Sequence, residues 1–178
     1  MKIEVNKRGS KEYYDEFLYI ATNYRKFQKD PKRMTHGLTK YLLGYECFIL
    51  LAIVLEFLCY RFFDDVIFVV LVGMLLLLLL LSLYYHFTAV KRIRAFLNDE
   101  GNKSIEIDSE AVTYTDDSKS VRILFDELNC VRIADYGICF LPKNQTDILI
   151  SISREYEDEV LQALKEAGRD DLIVSNSK

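Results

Sequence analysis

The amino-acid sequence predicts an α+β membrane protein in which a two-helix transmembrane hairpin carries a small antiparallel β barrel or sandwich with a C-terminal helix. Three observations predict it. Residues 66 to 87 run without a charged side chain and include seven consecutive leucines, Leu75 to Leu81. A second apolar stretch, 41 to 60, precedes this one by only the five residues RFFDD. Beyond residue 102 the apolar residues instead come in short runs rich in Val, Ile, Phe and Tyr, separated by turn residues, which is the pattern of strands.

At the front of the chain, MKIEVNK alternates Ile3 and Val5 with charged neighbours, as a half-buried strand does. Both ends of the chain are expected on one side of the hairpin, so this strand can join the C-terminal sheet. Ser10 is placed to cap a helix in which Tyr13, Phe17, Ile20, Tyr24 and Phe27 recur at spacings of four and three. The stripe has two readings. It lies on an anionic membrane surface, helped by Arg25, Lys26, Lys29, Lys32 and Arg33, or it packs on the β domain. Pro31 is expected to end this segment, which makes residues 1–40 a strand and an amphipathic helix ahead of the hairpin.

The hairpin is expected over 41–90, with spans at 41–60 and 66–87. At 1.5 Å per residue the second span reaches roughly 33 Å, enough to cross a hydrocarbon core. The first contains Glu46 and Glu56, each costing about 3 kcal/mol if held ionised at the bilayer centre. Both lie near the ends of the span and can reach water by snorkelling; they are also ten positions apart, within about 80° of one another around the helix, and can face a shared interior. They are therefore the candidate functional residues of the membrane region. Gly73 is the candidate for close helix packing. The five-residue turn forces antiparallel helices. Lys26, Lys29, Lys32, Arg33 and Lys40 before the hairpin and Lys91, Arg92 and Arg94 after it put both termini in the cytoplasm by the positive-inside rule. Tyr41, Tyr45, Tyr84 and Tyr85 fall at that same boundary.

Residues 91–101 form a linker, helical through Phe96 and broken at NDEGN. Over 102–178 the runs SIEI, AVTYT, SVRILF, CVRI, GICFL and DILISI predict a meander. A closing helix over 153–168 follows, capped near Ser153, buried through Tyr156, Val160, Leu161 and Leu164, and stopped by Gly168. Residues 1 to 43 carry ten Lys/Arg against five Asp/Glu, whereas residues 96 to 178 carry nine against eighteen. So acidic a domain has no footprint for nucleic acid and favours a basic partner, either another protein or, within the chain, the Lys/Arg-rich segment from Arg25 to Lys40.

Candidates for chemistry are few. His36 and His86 stand at opposite margins of the hairpin and read as interface residues. Asp116 with Asp117 and Asp170 with Asp171 read as solvated acids, not a metal site, and no residue pattern implies a cofactor. Cys47, Cys59, Cys130 and Cys139 form no CxxC pair and are expected reduced; a turn centred on Asp135 and Tyr136 sets Cys130 opposite Leu141 and Cys139 opposite Arg132.

A strand and helix before a two-span hairpin, an I-x-I-x-x-x-x-V hairpin from Ile105, an aromatic before an acidic pair at Phe125 to Glu127, and Leu141–Pro142 together resemble the YcxB-like family of bacterial membrane proteins. Phe125 stands where that family usually has tryptophan, and this chain has none. The resemblance implies a pleckstrin-homology-like C-terminal domain and a multi-pass location in the bacterial cytoplasmic membrane. It implies no catalytic residues. The expectation is therefore a non-enzymatic module anchored in membrane lipid, binding a protein partner and able to self-associate. The competing expectations are an oligomeric pore or transporter component using Glu46 and Glu56, and an immunity-type protein that neutralises a membrane-active toxin.

Overall fold

The structure, a computed structural model, describes residues 1–5, 9–63, 66–99, 101–144 and 149–175. Asn6 and Lys7 of the first expected strand, Asp64 and Asp65 of the hairpin turn, Glu100 of the linker, and Gln145 to Ile148 around the last expected strand lie outside the described residues.

Strand β1 (Lys2–Val5) is followed by helices α1 (Lys11–Thr22), α2 (Tyr24–Lys29), α3 (Leu38–Phe63) and α4 (Val66–Leu97). Then come β2 (Lys103–Ile107), β3 (Ala111–Thr115), β4 (Ser120–Leu124), β5 (Leu128–Ile133), β6 (Gly137–Pro142), β7 (Ile150–Ser153), α5 (Glu157–Glu166) and β8 (Ile173–Ser175). The strands make two four-stranded sheets, ordered β1-β2-β3-β4 and β7-β6-β5-β8. The first strand does join the C-terminal sheet. It runs antiparallel to β2 with Ile3 opposite Ile105, and the Ile107 amide donates to the Met1 carbonyl at 2.8 Å. The β5–β6 register sets Cys130 opposite Leu141 and Cys139 opposite Arg132, as the turn at Asp135 and Tyr136 requires.

The core lies between the sheets. Ile105, Ile107, Val112, Phe125, Leu128, Val131, Ile138, Phe140 and Ile152 meet there, and α5 adds Val160, Ala163 and Leu164 over the open side. Three local expectations need correction. Phe125 belongs to a short 3-10 turn at the corner between the sheets and not to β4, because turning the chain there lets its ring enter the core. Ser153 makes no side-chain cap: a 3-10 turn, Arg154–Tyr156, precedes α5, and Leu161 is only half-buried while Ala163 takes its place. β8, which pairs in parallel with β5, was not expected, since three residues carry no readable period. Gly168 does stop α5. At φ +68° it lets the Arg169 amide reach back to the Leu164 carbonyl at 2.9 Å.

Helices α3 and α4 are long and apolar enough to cross a membrane. Their outward faces carry large apolar side chains left open, Phe48 at 67% and Leu77 at 69% exposure, opposite to what the core helix of a soluble protein shows. The 32 residues of α4 reach about 48 Å, longer than a hydrocarbon core of about 30 Å. Its last turns continue helically through Phe96 as expected and form a stem: Ala89 and Ile93 are buried, and Ile93 packs with Tyr13, Tyr14 and Leu18 of α1.

Candidate functional site at the foot of the hairpin

Helix α1 is held at its start by Ser10, whose hydroxyl accepts from the Tyr13 amide at 3.1 Å. The apolar stripe is real, but it faces protein. Tyr19, Ile20, Tyr24 and Phe27 pack on Cys130, Ala134, Cys139 and Leu141, the outer face of the β5–β6 pair. The reading in which this helix lies on a lipid surface is therefore corrected. Cys130, Arg132, Cys139 and Leu141 point away from the barrel core and would be exposed without α1 and α2, which explains why β5 and β6 are buried on both faces.

Two carboxylates on this buried surface organise the junction. Glu16, 3% exposed, accepts from the Thr35 hydroxyl at 2.6 Å, the Asp135 amide at 3.1 Å and the Tyr136 amide at 2.8 Å. One side chain thus ties α1 to the segment entering α3 and to the β5–β6 turn. Asp15 accepts from the Thr39 amide at 2.9 Å and the Thr39 hydroxyl at 2.6 Å, capping the first turn of α3 from outside and placing negative charge where the helix dipole favours it. A Cβ at Gly37 would run into that carboxylate, so only glycine leaves room for the contact. Arg132 is fully buried, with its guanidinium 4.8 Å from the Phe27 ring centre and a hydrogen bond to the Arg33 carbonyl. Its desolvation pulls its pKa below the usual guanidinium value.

Around these groups is a cavity of about 580 Å³. Glu12, Asp15 and Glu16 of α1, Thr35, His36 and Gly37 of the connecting segment, Lys40, Tyr41, Gly44 and Tyr45 of α3, and Asp135 and Tyr136 of the β5–β6 turn line it.

Below the cavity the hairpin carries its own polar cluster. Glu46 is 6% exposed, facing α4, where His86 Nδ1 lies 3.1 Å from Oε1 and 3.2 Å from Oε2, and the Ser82 hydroxyl donates to Oε1 at 3.4 Å. His86 is thus paired, contrary to its reading as an unaccompanied interface residue. Folding the spans at Asp64 and Asp65 puts Glu46 level with Leu83, between Ser82 and His86, so the pairing was available to sequence reasoning. Glu56 is half-buried, and its Oε2 has no hydrogen-bond partner among the described residues. Among the described residues, Glu46 and Glu56 share no hydrogen-bond partner. Gly73 is exposed and a Cβ there would meet nothing within 4 Å, so it does not serve contact between α3 and α4 within one molecule. Replacing Glu46 with Gln and His86 with Ala, singly and together, is expected to reveal a coupling of about 1 kcal/mol in a double-mutant cycle of thermal unfolding in detergent. Strictly additive losses would show that this contact contributes nothing.

The aspartate pair at 116 and 117 is used locally. Asp116 accepts from the Ser118 and Lys119 amides, and Asp117 from the Asn102 amide. Cys130 and Cys139 are buried free thiols; burial raises Cys130 to about 11 and Cys139 to about 12, and it raises Tyr114 to about 12. All three acids titrate higher in the folded chain than the ordinary values of about 8.5 for Cys and about 10 for Tyr. The stability they carry is then complete below those ordinary values and is lost as pH rises through the folded ones. The β domain is expected to hold at pH 8 and to unfold between about pH 9 and about pH 12, followed by circular dichroism in an alkaline titration. At pH 8 a maleimide is expected to leave Cys130 and Cys139 unmodified until denaturant is added. Their reaction in the folded chain would refute the burial described here.

Searches against protein families, curated proteins and solved structures find no match to this chain.

Proposed function

We propose that the chain is a membrane-anchored binding module of the YcxB-like kind: α3 and α4 cross the bacterial cytoplasmic membrane, both termini lie in the cytoplasm, and a pleckstrin-like β domain docks a basic protein without catalysing a reaction. The observation that carries this reading is the Glu16 junction. A domain meant only to be tethered needs no such contact, whereas three hydrogen bonds to one buried carboxylate hold the β domain in a fixed orientation on the hairpin. Two meandering sheets with a closing helix fit the pleckstrin-like expectation. Surface charge favours a basic partner. Arg122, Arg154 and Arg169 are already engaged with Asp108 and Glu110, Glu157, and Asp126, while Asp158, Glu159 and Glu166 of α5 stand exposed.

The test is to isolate the tagged full-length chain from native membranes in mild detergent, at low and then raised salt, and identify what co-purifies. A stoichiometric basic protein released by salt, and lost when Asp158 and Glu159 are changed to Lys, is the expected result. Recovery with lipid or with itself alone would remove the reading.

One observation favours a second reading, a pore or transport component: Glu46, with His86 and Ser82, is a buried polar cluster inside a largely apolar helix pair. Two helices alone enclose no passage, so this reading requires self-association. Glu46→Gln together with Glu56→Gln would then abolish flux while leaving assembly intact.

A further inference from the structure

The cavity at the foot of the hairpin is amphiphilic in a particular direction. Its walls carry four carboxylates, Glu12, Asp15, Glu16 and Asp135, against Lys40 and His36. Asp15 and Glu16 are consumed by the junction, but the side chains of Glu12, Asp135 and Lys40 are exposed and make no hydrogen bond or ion pair among the described residues. Toward the apolar part of α3 the same wall continues through Tyr41, Gly44 and Tyr45. These share one helix face with Phe48, Leu51 and Leu55, all more than half exposed. A Cβ at Gly44 would meet nothing within 4 Å, so the helix surface beside the two tyrosines is open.

We propose that this cavity seats the headgroup of a zwitterionic phospholipid bearing a primary ammonium, with Glu12 and Asp135 receiving the ammonium, Lys40 the phosphate diester, and the open surface at Gly44 an acyl chain. This rests on the membrane-anchored reading. Charge selects the headgroup. An anionic one would enter a cavity in which carboxylates outnumber cations, whereas a primary ammonium offers three donors to unpaired carboxylates, and its phosphate needs only one cation. A quaternary ammonium has the charge but no N–H to give. Length agrees as well: Lys40 to Gly44 is one helical turn, about 6 Å along the axis, which separates a phosphate from the start of its acyl chains. The tyrosines stand at the level where a ring rests in the acyl region with its hydroxyl in water. Such a lipid would brace β domain and hairpin at the point where Glu16 joins them.

The experiment uses the full-length chain in liposomes of equal dioleoyl phosphatidylethanolamine, phosphatidylcholine and phosphatidylglycerol. Flotation after a urea wash at neutral pH reads membrane insertion; native mass spectrometry of the extracted protein reads the lipid retained. The expected result is one phosphatidylethanolamine per chain, favoured roughly tenfold over either competitor, the size of one hydrogen bond to a charged group. Glu12→Gln with Asp135→Asn should erase the preference for phosphatidylethanolamine. Lys40→Gln should weaken all three lipids alike, and Gly44→Leu should reduce retention without altering a charge. All four positions are exposed, so folding should survive, as checked by unchanged thermal unfolding. Insertion with equal retention of the three lipids, or a preference for phosphatidylglycerol, would overturn the lipid site while leaving the anchoring intact. Failure to float would remove the anchored reading itself.

Discussion

Changing Glu16 to alanine is expected to destabilise the protein by about 4 kcal/mol, lowering the thermal midpoint by about 10 °C in detergent. The carboxylate is buried, and its removal strands three donors at once: the Thr35 hydroxyl and the amides of Asp135 and Tyr136. Each donor left without an acceptor costs roughly 1–3 kcal/mol. Glu16→Gln keeps one acceptor oxygen and should lose about half as much. Glu12→Ala, one turn earlier on the same face of the helix but exposed, should lie within about 0.5 kcal/mol of the native chain. Limited proteolysis supplies the mechanistic readout. Cleavage around Lys32 and Arg33, in the segment that Thr35 anchors, should accelerate in Glu16→Ala before the β domain itself melts. Uniform destabilisation without early cleavage there would mean that Glu16 supports α1 alone and does not join it to the hairpin.

Arg132 gives the second large effect. Arg132→Ala is expected to cost about 4 kcal/mol, because it removes a fully buried side chain from beneath Phe27 and the donor to the Arg33 carbonyl. Arg132→Met is expected to cost less than half of that. A thioether of similar length refills the space, avoids desolvating a charge, and keeps a polarisable atom near the Phe27 ring, while Arg33 is exposed and its carbonyl can bind water. Equal losses for both variants would assign the effect to the charge and its hydrogen bond, and would make Arg132 the electrostatic counterpart of Glu16 in the junction. Chemical denaturation, with unchanged slope as the check on two-state behaviour, measures both.

These two residues also mark where sequence reasoning ran short. Glu16 lies three residues after Tyr13 and four before Ile20, on the apolar stripe itself, and a carboxylate there is a readable sign of a buried partner. Its donors could not be read, because Thr35, Asp135 and Tyr136 are brought to it by three separate chain segments. Arg132 alternates with Val131 and Ile133 as any solvent-facing strand residue does, and only the docking of α1 and α2 turns that face inward. His86 was within reach once the hairpin register was applied to Glu46, whereas β8 was too short to show a period.

By itself the sequence determined the two long apolar helices, the strands with their turns, the pairing register of Cys130 and Cys139, the stop at Gly168 and the return of the first strand to the C-terminal sheet. All of these follow from local spacing, from charge, or from chain connectivity, which a single chain displays without ambiguity. Tertiary structure alone decided which surface the amphipathic helix covers, that Asp15 and Glu16 link three segments, that Gly73 faces outward, and that a cavity opens where α3 meets the β5–β6 turn. Those outcomes depend on how separately formed elements dock, and an apolar stripe or a buried carboxylate specifies only that it must be covered or paired, not by what.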